Sequence, residues 1–360
     1  MERYRHWLAL KKIPGVGNIL FKRLLSTFSS PEAVFKAGRD ALLDVEGLHR
    51  TVAGAIRSFS DFSEIDIEIA RVEKSGSRLV CLQDAEYPEC LAAIDDPPPI
   101  LYVKGTLKKS DAVAIVGSRK MTPYGRGVAG TLSRALAELG IAIVSGFARG
   151  IDATAHQAAL AVGGYTAAVL GCGIDYIYPP EHKSLYRAMA EGGALLSEFP
   201  MGTIPAPHHF PQRNRIISGM ALGCVVIEAP INSGSLITAR HALEQGREVF
   251  AVPGPITSMG SAGPHHLIHS GAKLVTQVQD ILEEILPHLT RLPVKKSAET
   301  PQLPENEAHI YQLLRQDPKH IDQIACESGK SIASVASALL TLEMKEHVRA
   351  LPGQFYTRVF

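Results

Sequence analysis

Along the middle of the chain, short uninterrupted apolar runs alternate with glycine turns and with stripes of apolar residues at helical spacing. The stretch Val113–Ala159, VAIVGSRKMTPYGRGVAGTLSRALAELGIAIVSGFARGIDATAHQAA, shows the pattern twice. Ala112–Val116 predicts a strand, broken by Gly117-Ser118-Arg119. Thr122-Pro123 then offers an N-cap hydroxyl and a first-turn proline. Val128, Leu132, Leu136 and Leu139 recur at helical spacing before Gly140 stops the helix. A second strand, Ile141–Val144, runs into Ser145-Gly146, with Asp152 placed to cap the next helix. Strand, glycine loop and helix repeated in this way predict a doubly wound, mostly parallel sheet.

The alternation continues to about residue 286. Strands are expected at Arg78–Leu82, Ile100–Val103, Ala112–Val116, Ile141–Val144, Thr166–Leu170, Ala194–Leu196, Cys224–Glu228, Glu248–Val252 and Lys273–Thr276. Residues 61–286 therefore read as one α/β domain with a large Rossmann-like sheet. Residues 1–60 read as short helices. In them Lys11-Lys12-Ile13-Pro14-Gly15-Val16-Gly17 resembles a helix-hairpin-helix turn that meets a DNA phosphate, or else a packing module whose glycines only make turns. Residues 287–304 are rich in proline and charge without periodicity, as in a linker. In residues 305–360, helices at Glu307–Arg315, Ile321–Ser328 and Ile332–Met344, then β-like segments His347–Arg349 and Gln354–Val359, spell a winged helix. Its third helix is poor in Arg and Lys for a major-groove reader. Protein contact is an equal expectation for it.

Composition narrows the field. The 360 residues are 46% apolar with a net charge of +1, so any nucleic-acid surface must be local. No apolar run reaches the roughly 20 residues a membrane span needs. The charged N-terminus MERYRHWLALKKIPGVG does not read as a secretory leader. Cys81, Cys90, Cys172, Cys224 and Cys326 are scattered, as expected of reduced cysteines in a cytoplasmic protein.

The candidate chemistry lies in the loops at strand carboxyl ends, where helix N-termini favour anions. Gly117, Ser118 and Arg119 follow one strand; Gly146, Arg149 and Gly150 follow the next. His208-His209-Phe210-Pro211-Gln212-Arg213-Asn214-Arg215 opens a helix at Pro211, with Phe210 just before it. Arg213 and Arg215 are about 200° apart on a helix, so one can meet a phosphate while the other makes a structural ion pair. An aromatic beside arginines suits stacking and phosphate contact on a single strand. Gly171–Pro180 brings Tyr176 and Tyr178, with Lys183 just beyond, and Ser233-Gly234-Ser235 opens another helix. No P-loop, GxSxG or HExxH is present. His265 and His269 lack a carboxylate spaced to complete a metal site, so neither metal nor cofactor is expected. Asp152 and His156 are four apart, a cap-and-core pair rather than an acid–base pair. Glu198 and Glu228 are the pair on which a hydrolase acting on nucleoside phosphates would depend.

GSR, SGFARGIDATAH, GCGIDYIYP, LLSEFP, FPQRNRIISG, SGSLITARHA and VPG, in this order, closely resemble the DNA-processing protein A (DprA, or Smf) family. The resemblance covers roughly residues 65–290. It implies a cytosolic bacterial protein without enzymatic activity that binds incoming single-stranded DNA in natural transformation. Such a protein protects the strand, loads the RecA recombinase on it, and self-associates as a homodimer. It also implies an N-terminal SAM-like domain and a C-terminal winged helix. The family's phosphate pocket maps to Arg119, Arg149, Arg213 and Arg215, and its base-stacking position to Phe210. A nucleoside-phosphate hydrolase and, less strongly, a transcription regulator acting through the winged helix remain the competing readings.

Overall fold

The computed structural model describes residues 3–287, 303–314, 318–345 and 347–358. Its main sheet has nine strands: β1 (Arg78–Cys81), β2 (Ile100–Gly105), β3 (Ala112–Val116), β4 (Ala142–Ser145), β5 (Thr166–Val169), β6 (Ala194–Ser197), β7 (Gly223–Val226), β8 (Glu248–Ala251) and β9 (Lys273–Leu274). Their order is β1-β2-β6-β5-β4-β3-β7-β8-β9. From β6 across to β9 every neighbouring pair is parallel, while β2 is antiparallel to both β1 and β6. The chain winds outward from β3 in both directions, so strand order reverses between β3 and β7. Each predicted strand is present within a residue or two.

The uninterrupted apolar runs have a physical reason: the sheet is covered on both faces. Side chains alternate between two cores. Tyr102, Ala168 and Leu195 enter one, while Leu101, Val103, Val169 and Leu196 enter the other. The first core is shared with the N-terminal helices, whose Trp7, Leu10, Phe21, Leu24, Val34 and Ile56 pack in the same cluster as Leu79, Tyr102 and Leu195. Met1–Pro287 is accordingly one compact unit, and no break in packing marks residue 60.

The basic residues near the expected hairpin are engaged within this unit. Lys11 donates to Glu198 O at 2.6 Å and Lys22 to Ile94 O at 2.8 Å. Arg3 pairs with Asp84 at 3.0 Å, and Lys12 pairs with Glu64. Gly17 precedes the helix Asn18–Phe28, and Asn18 reaches Asp96 O at 3.5 Å. These bonds favour the packing reading of Gly15–Gly17 over DNA contact.

The second unit, His288–Phe360, has its own core of Ile310, Leu314, Ile324, Val335, Leu339 and Leu342. Helices Glu305–Leu313, Ile321–Ser328 and Ile332–Met344 are joined by strands β10 (Lys319–His320), β11 (Val348–Leu351) and β12 (Phe355–Arg358) in the order β10-β12-β11, a winged helix. The expected linker lies outside the described residues except for Pro287, Leu303 and Pro304. Arg315 and Val359 of the expected terminal elements are likewise outside them.

Candidate nucleic-acid interface

The carboxyl ends of β3, β4 and β5 frame an open cleft lined by Arg119, Gly146–Arg149, Leu170–Cys172, Tyr178, Pro179 and Phe210. The loop after β3 and the loop after β4 are pressed together. The Ile151–Ala161 helix receives its first hydrogen bond when Ile151 N–H donates to Ser118 O at 3.2 Å. A Cβ on Gly150, whose φ is +78°, would fall 2.2 Å from that same oxygen. Gly117 is packed as tightly, against Ile151 and Glu228 O. These glycines bring two backbones closer than any side chain permits. They also carry Arg119 and Arg149 onto one rim.

Asp152 does not cap its own helix, as the sequence suggests. Gly150 occupies the N-cap place, and the Asp152 carboxylate instead accepts from Gly146 N at 3.2 Å and Ala148 N at 3.3 Å. It thereby fixes the turn that forms one wall of the cleft. Phe147, in that turn, has φ of +59° with its ring buried against His182 and Tyr186. Burial pushes the Asp152 carboxyl up to about 6, with the Arg213 charge acting in the opposite direction.

Phe210 lies in the first turn of the helix His209–Gly219, which starts two residues before the expected Pro211. Its half-buried ring faces the cleft over Gly171, where a Cβ would come within 2.9 Å of Cδ1. Tyr178 flanks it with ring centroids 5.8 Å apart. The guanidinium carbons of Arg119 and Arg213 lie 5.2 Å and 5.9 Å from the ring centroid. The two arginines differ in what their charges can do. Arg119 is exposed and makes no ion pair among the described residues, so its fork can meet an anion.

Of Arg213 and Arg215, one is expected to close the phosphate pocket and the other to make a structural ion pair. Both are buried, 3% and 8% exposed, and neither lines the cleft. Arg213 donates to the carbonyl oxygens of Gly146 and Val169, tying the loop after β4 to the end of β5. Arg215 pairs with Glu198 and donates to Asp96 O at 2.6 Å. A guanidinium taken out of water must have its donors filled, and here protein oxygens fill them. Asn214 donates to Gly234 O at 3.1 Å, and the Ser233 hydroxyl caps the helix Gly234–Glu244 by accepting from Ser235 N. Asn214, Ser233 and Ser235 thus brace the loop after β7 and are not among the residues lining the cleft.

Arg149 is on the rim but already paired, its fork side-on to the Glu181 carboxylate. Lys183, exposed just beyond, begins the helix Lys183–Gly192. Glu228, the one candidate general base at the rim, is buried. It accepts from Thr122 N at 2.9 Å and from the Thr122 hydroxyl, and a Cβ on Gly125 would strike its carboxylate. It holds the start of the helix Pro123–Glu138.

The family model for DNA recombination-mediator protein A matches residues 78–286, and that for the DprA winged helix domain matches residues 294–354. The chain belongs to the DprA family. It is 42% identical over 299 residues to Protein Smf of Escherichia coli K12, covering 81% of this chain and 80% of that one. It is 48% identical over 200 residues to the DNA processing protein DprA of Streptococcus pneumoniae R6, covering 55% and 71% of the two. The crystal structure of DprA from Streptococcus pneumoniae superposes with a TM-score of 0.68 at 37% identity, over 78% of this chain and 98% of that one. DNA processing protein A of Helicobacter pylori, solved for its single-stranded DNA binding mode, gives a TM-score of 0.53 at 31% identity, over 59% and 97%.

Of the residues that shape the cleft, Gly171 under the ring and Tyr178 beside it lie in the segment Gly171–Pro180 that the sequence places on the rim, while the Phe147 turn is absent from the sequence-derived site. Phe147 carried no signal, because its φ of +59° is rare outside glycine.

Proposed function

We propose that the cleft binds single-stranded DNA, with one phosphate on Arg119 and a base on Phe210. The observation that carries this reading is the Arg119 guanidinium, exposed and without an ion pair among the described residues, beside a half-buried phenyl ring at the lip of a glycine-walled cleft. A single strand offers both an unstacked base and a phosphate within one nucleotide, whereas a duplex hides the base. Arg149, released from Glu181, and Lys183 extend the cationic rim. Backbone at Gly146 lines the cleft, while Gly117, Ser118 and Gly150 hold the two rim loops together beneath it. Arg213, Asn214, Arg215, Ser233 and Ser235 act from beneath, holding the loops in place.

We infer further, from the family's description as a recombination mediator and from relatives named DNA processing protein, that the chain protects single strands entering the cytoplasm in natural transformation and loads the RecA recombinase on them. A homodimer fits the exposed Leu274 on edge strand β9 and the exposed Leu243 of the helix Gly234–Glu244, which packs on β7 and β8. The non-catalytic reading draws support from Glu228 and Glu198, both engaged in structural bonds.

Fluorescence anisotropy of labelled single- and double-stranded oligonucleotides across a salt series tests the central reading. Preference for the single strand, lost on Arg119→Ala and Phe210→Ala, is expected. Equal affinity for both forms would overturn it, and release of free base from nucleoside monophosphates would restore the hydrolase.

A further inference from the structure

Beside the cleft, on the other flank of Arg119, three loops meet at the carboxyl ends of β3, β7 and β8. They are tied together by hydrogen bonds from Tyr124 OH to Pro253 O at 2.6 Å, from Ala229 N to Gly260 O at 2.7 Å and from Gly263 N to Ala229 O at 2.8 Å. Four large apolar side chains stand out from this surface: Tyr124 at 36% exposure, Ile231 at 53%, Ile256 at 91% and Met259 at 81%. Isolated exposed apolar residues are ordinary, but a cluster on bonded loops and the helix turn that opens at Pro123 points to a ligand.

The charge pattern says which kind. Residues 117–127, 229–236 and 253–266 contain no Asp or Glu, although the chain has 36 of them. Glu228, next to the second loop, is buried against Thr122. The same surface presents Lys120 from the loop after β3 and Arg126 from the first turn of the helix Pro123–Glu138, both exposed and without an ion pair among the described residues. By contrast Arg3, Lys12, Lys109 and Arg149 each hold a carboxylate. Apolar side chains interleaved with free cations, and swept clear of carboxylates, form the surface that a run of unstacked bases on a phosphate backbone fits. A partner protein's apolar patch would not require the carboxylates to be absent.

We propose that this three-loop surface is a second stretch of the DNA track, rests on the reading of the cleft given above, and takes the nucleotides that continue past Arg119. Lys120 and Arg126 meet phosphates, and Tyr124, Ile256 and Met259 carry bases. The strand therefore leaves the cleft toward β8.

The test uses the full chain and oligothymidylates of two lengths, about six nucleotides and about twenty, the longer exceeding the roughly 16 nucleotides that the largest OB-fold sites cover. An Ile256→Ser, Met259→Ser double variant changes two almost fully exposed side chains and so leaves folding intact. It should bind the long oligomer about five-fold or more weakly while leaving the short one unchanged. Tyr124→Ala should act alike, with its melting temperature recorded because its hydroxyl bonds Pro253 O. Lys120→Ala combined with Arg126→Ala should lower the salt slope for the long oligomer by about 1.4, at about 0.7 per contact, and not for the short one. Arg119→Ala should weaken both lengths, so failure of the cleft reading shows in that variant alone. If the surface variants leave length dependence untouched, or change only the sedimentation of the protein, the track is overturned, in the latter case in favour of a protein interface.

Discussion

The ring of Phe210 lies over the α-carbon of Gly171, so close that a Cβ there would come within 2.9 Å of the ring. The absent side chain fixes the ring's height in the cleft. Gly171→Ala should therefore displace Phe210 without removing it, costing about 1–3 kcal/mol in single-strand affinity, the same range as Phe210→Ala. The salt slope should not change, since stacking releases no counterions. Anisotropy titrations at two salt concentrations check this. Unaltered affinity in Gly171→Ala would mean the ring does not carry a base.

Arg119 and Arg213 flank the same ring but should respond differently. Arg119→Ala should reduce the salt slope by about 0.7 at little cost in stability. Arg119→Lys should restore the slope but only part of the affinity, because the charge returns without the planar fork.

Arg213→Ala removes a buried cation bonded to Gly146 O and Val169 O, near the Asp152 carboxylate. A loss of about 3–5 kcal/mol in stability is expected. Chemical denaturation measures it. A well-folded Arg213→Ala protein that had merely lost affinity would place that guanidinium on DNA after all.

Asp152 gives the fold a pH dependence of known sign. Its carboxyl is raised to about 6 by burial, above the ordinary carboxylate value of about 3.9. Its stabilising contribution is therefore complete below the unfolded value and is lost as pH rises through 6. Asp152→Asn does not titrate, so the parent's advantage in melting temperature over this variant should shrink between about pH 4 and pH 7. An advantage that grows over that range would show that Arg213 holds Asp152 charged throughout.

Truncation separates the two ends of the chain. A chain ending at Pro287 keeps a complete compact unit and should retain its fold and most single-strand affinity. A chain beginning near residue 65 loses Trp7, Leu10, Phe21 and Ile56 from the core shared with Tyr102 and Leu195, and should melt far lower or not fold. Calorimetry on the two truncated chains distinguishes them.

The sequence by itself determined the sheet and its rim. Runs such as Ala112–Val116 and Ala194–Leu196, too short for a helix and bounded by glycine turns, read as strands buried on both faces, and the turns after them mark where helix N-termini meet a ligand. The loops bearing Arg119, Arg149 and Phe210 were legible for that reason, and order and spacing of the motifs were enough for the family. Tertiary structure alone decided which charged groups remain available. Arg119 and Arg213 look alike in the sequence, yet one ends exposed and the other buried on two carbonyl oxygens. The same holds for Glu228, whose carboxylate is used up at the start of the Pro123–Glu138 helix. Local pattern records that a residue can carry charge. Whether that charge faces solvent or a buried partner depends on residues far along the chain, such as Val169 for Arg213 and Thr122 for Glu228, which only the closed fold brings together.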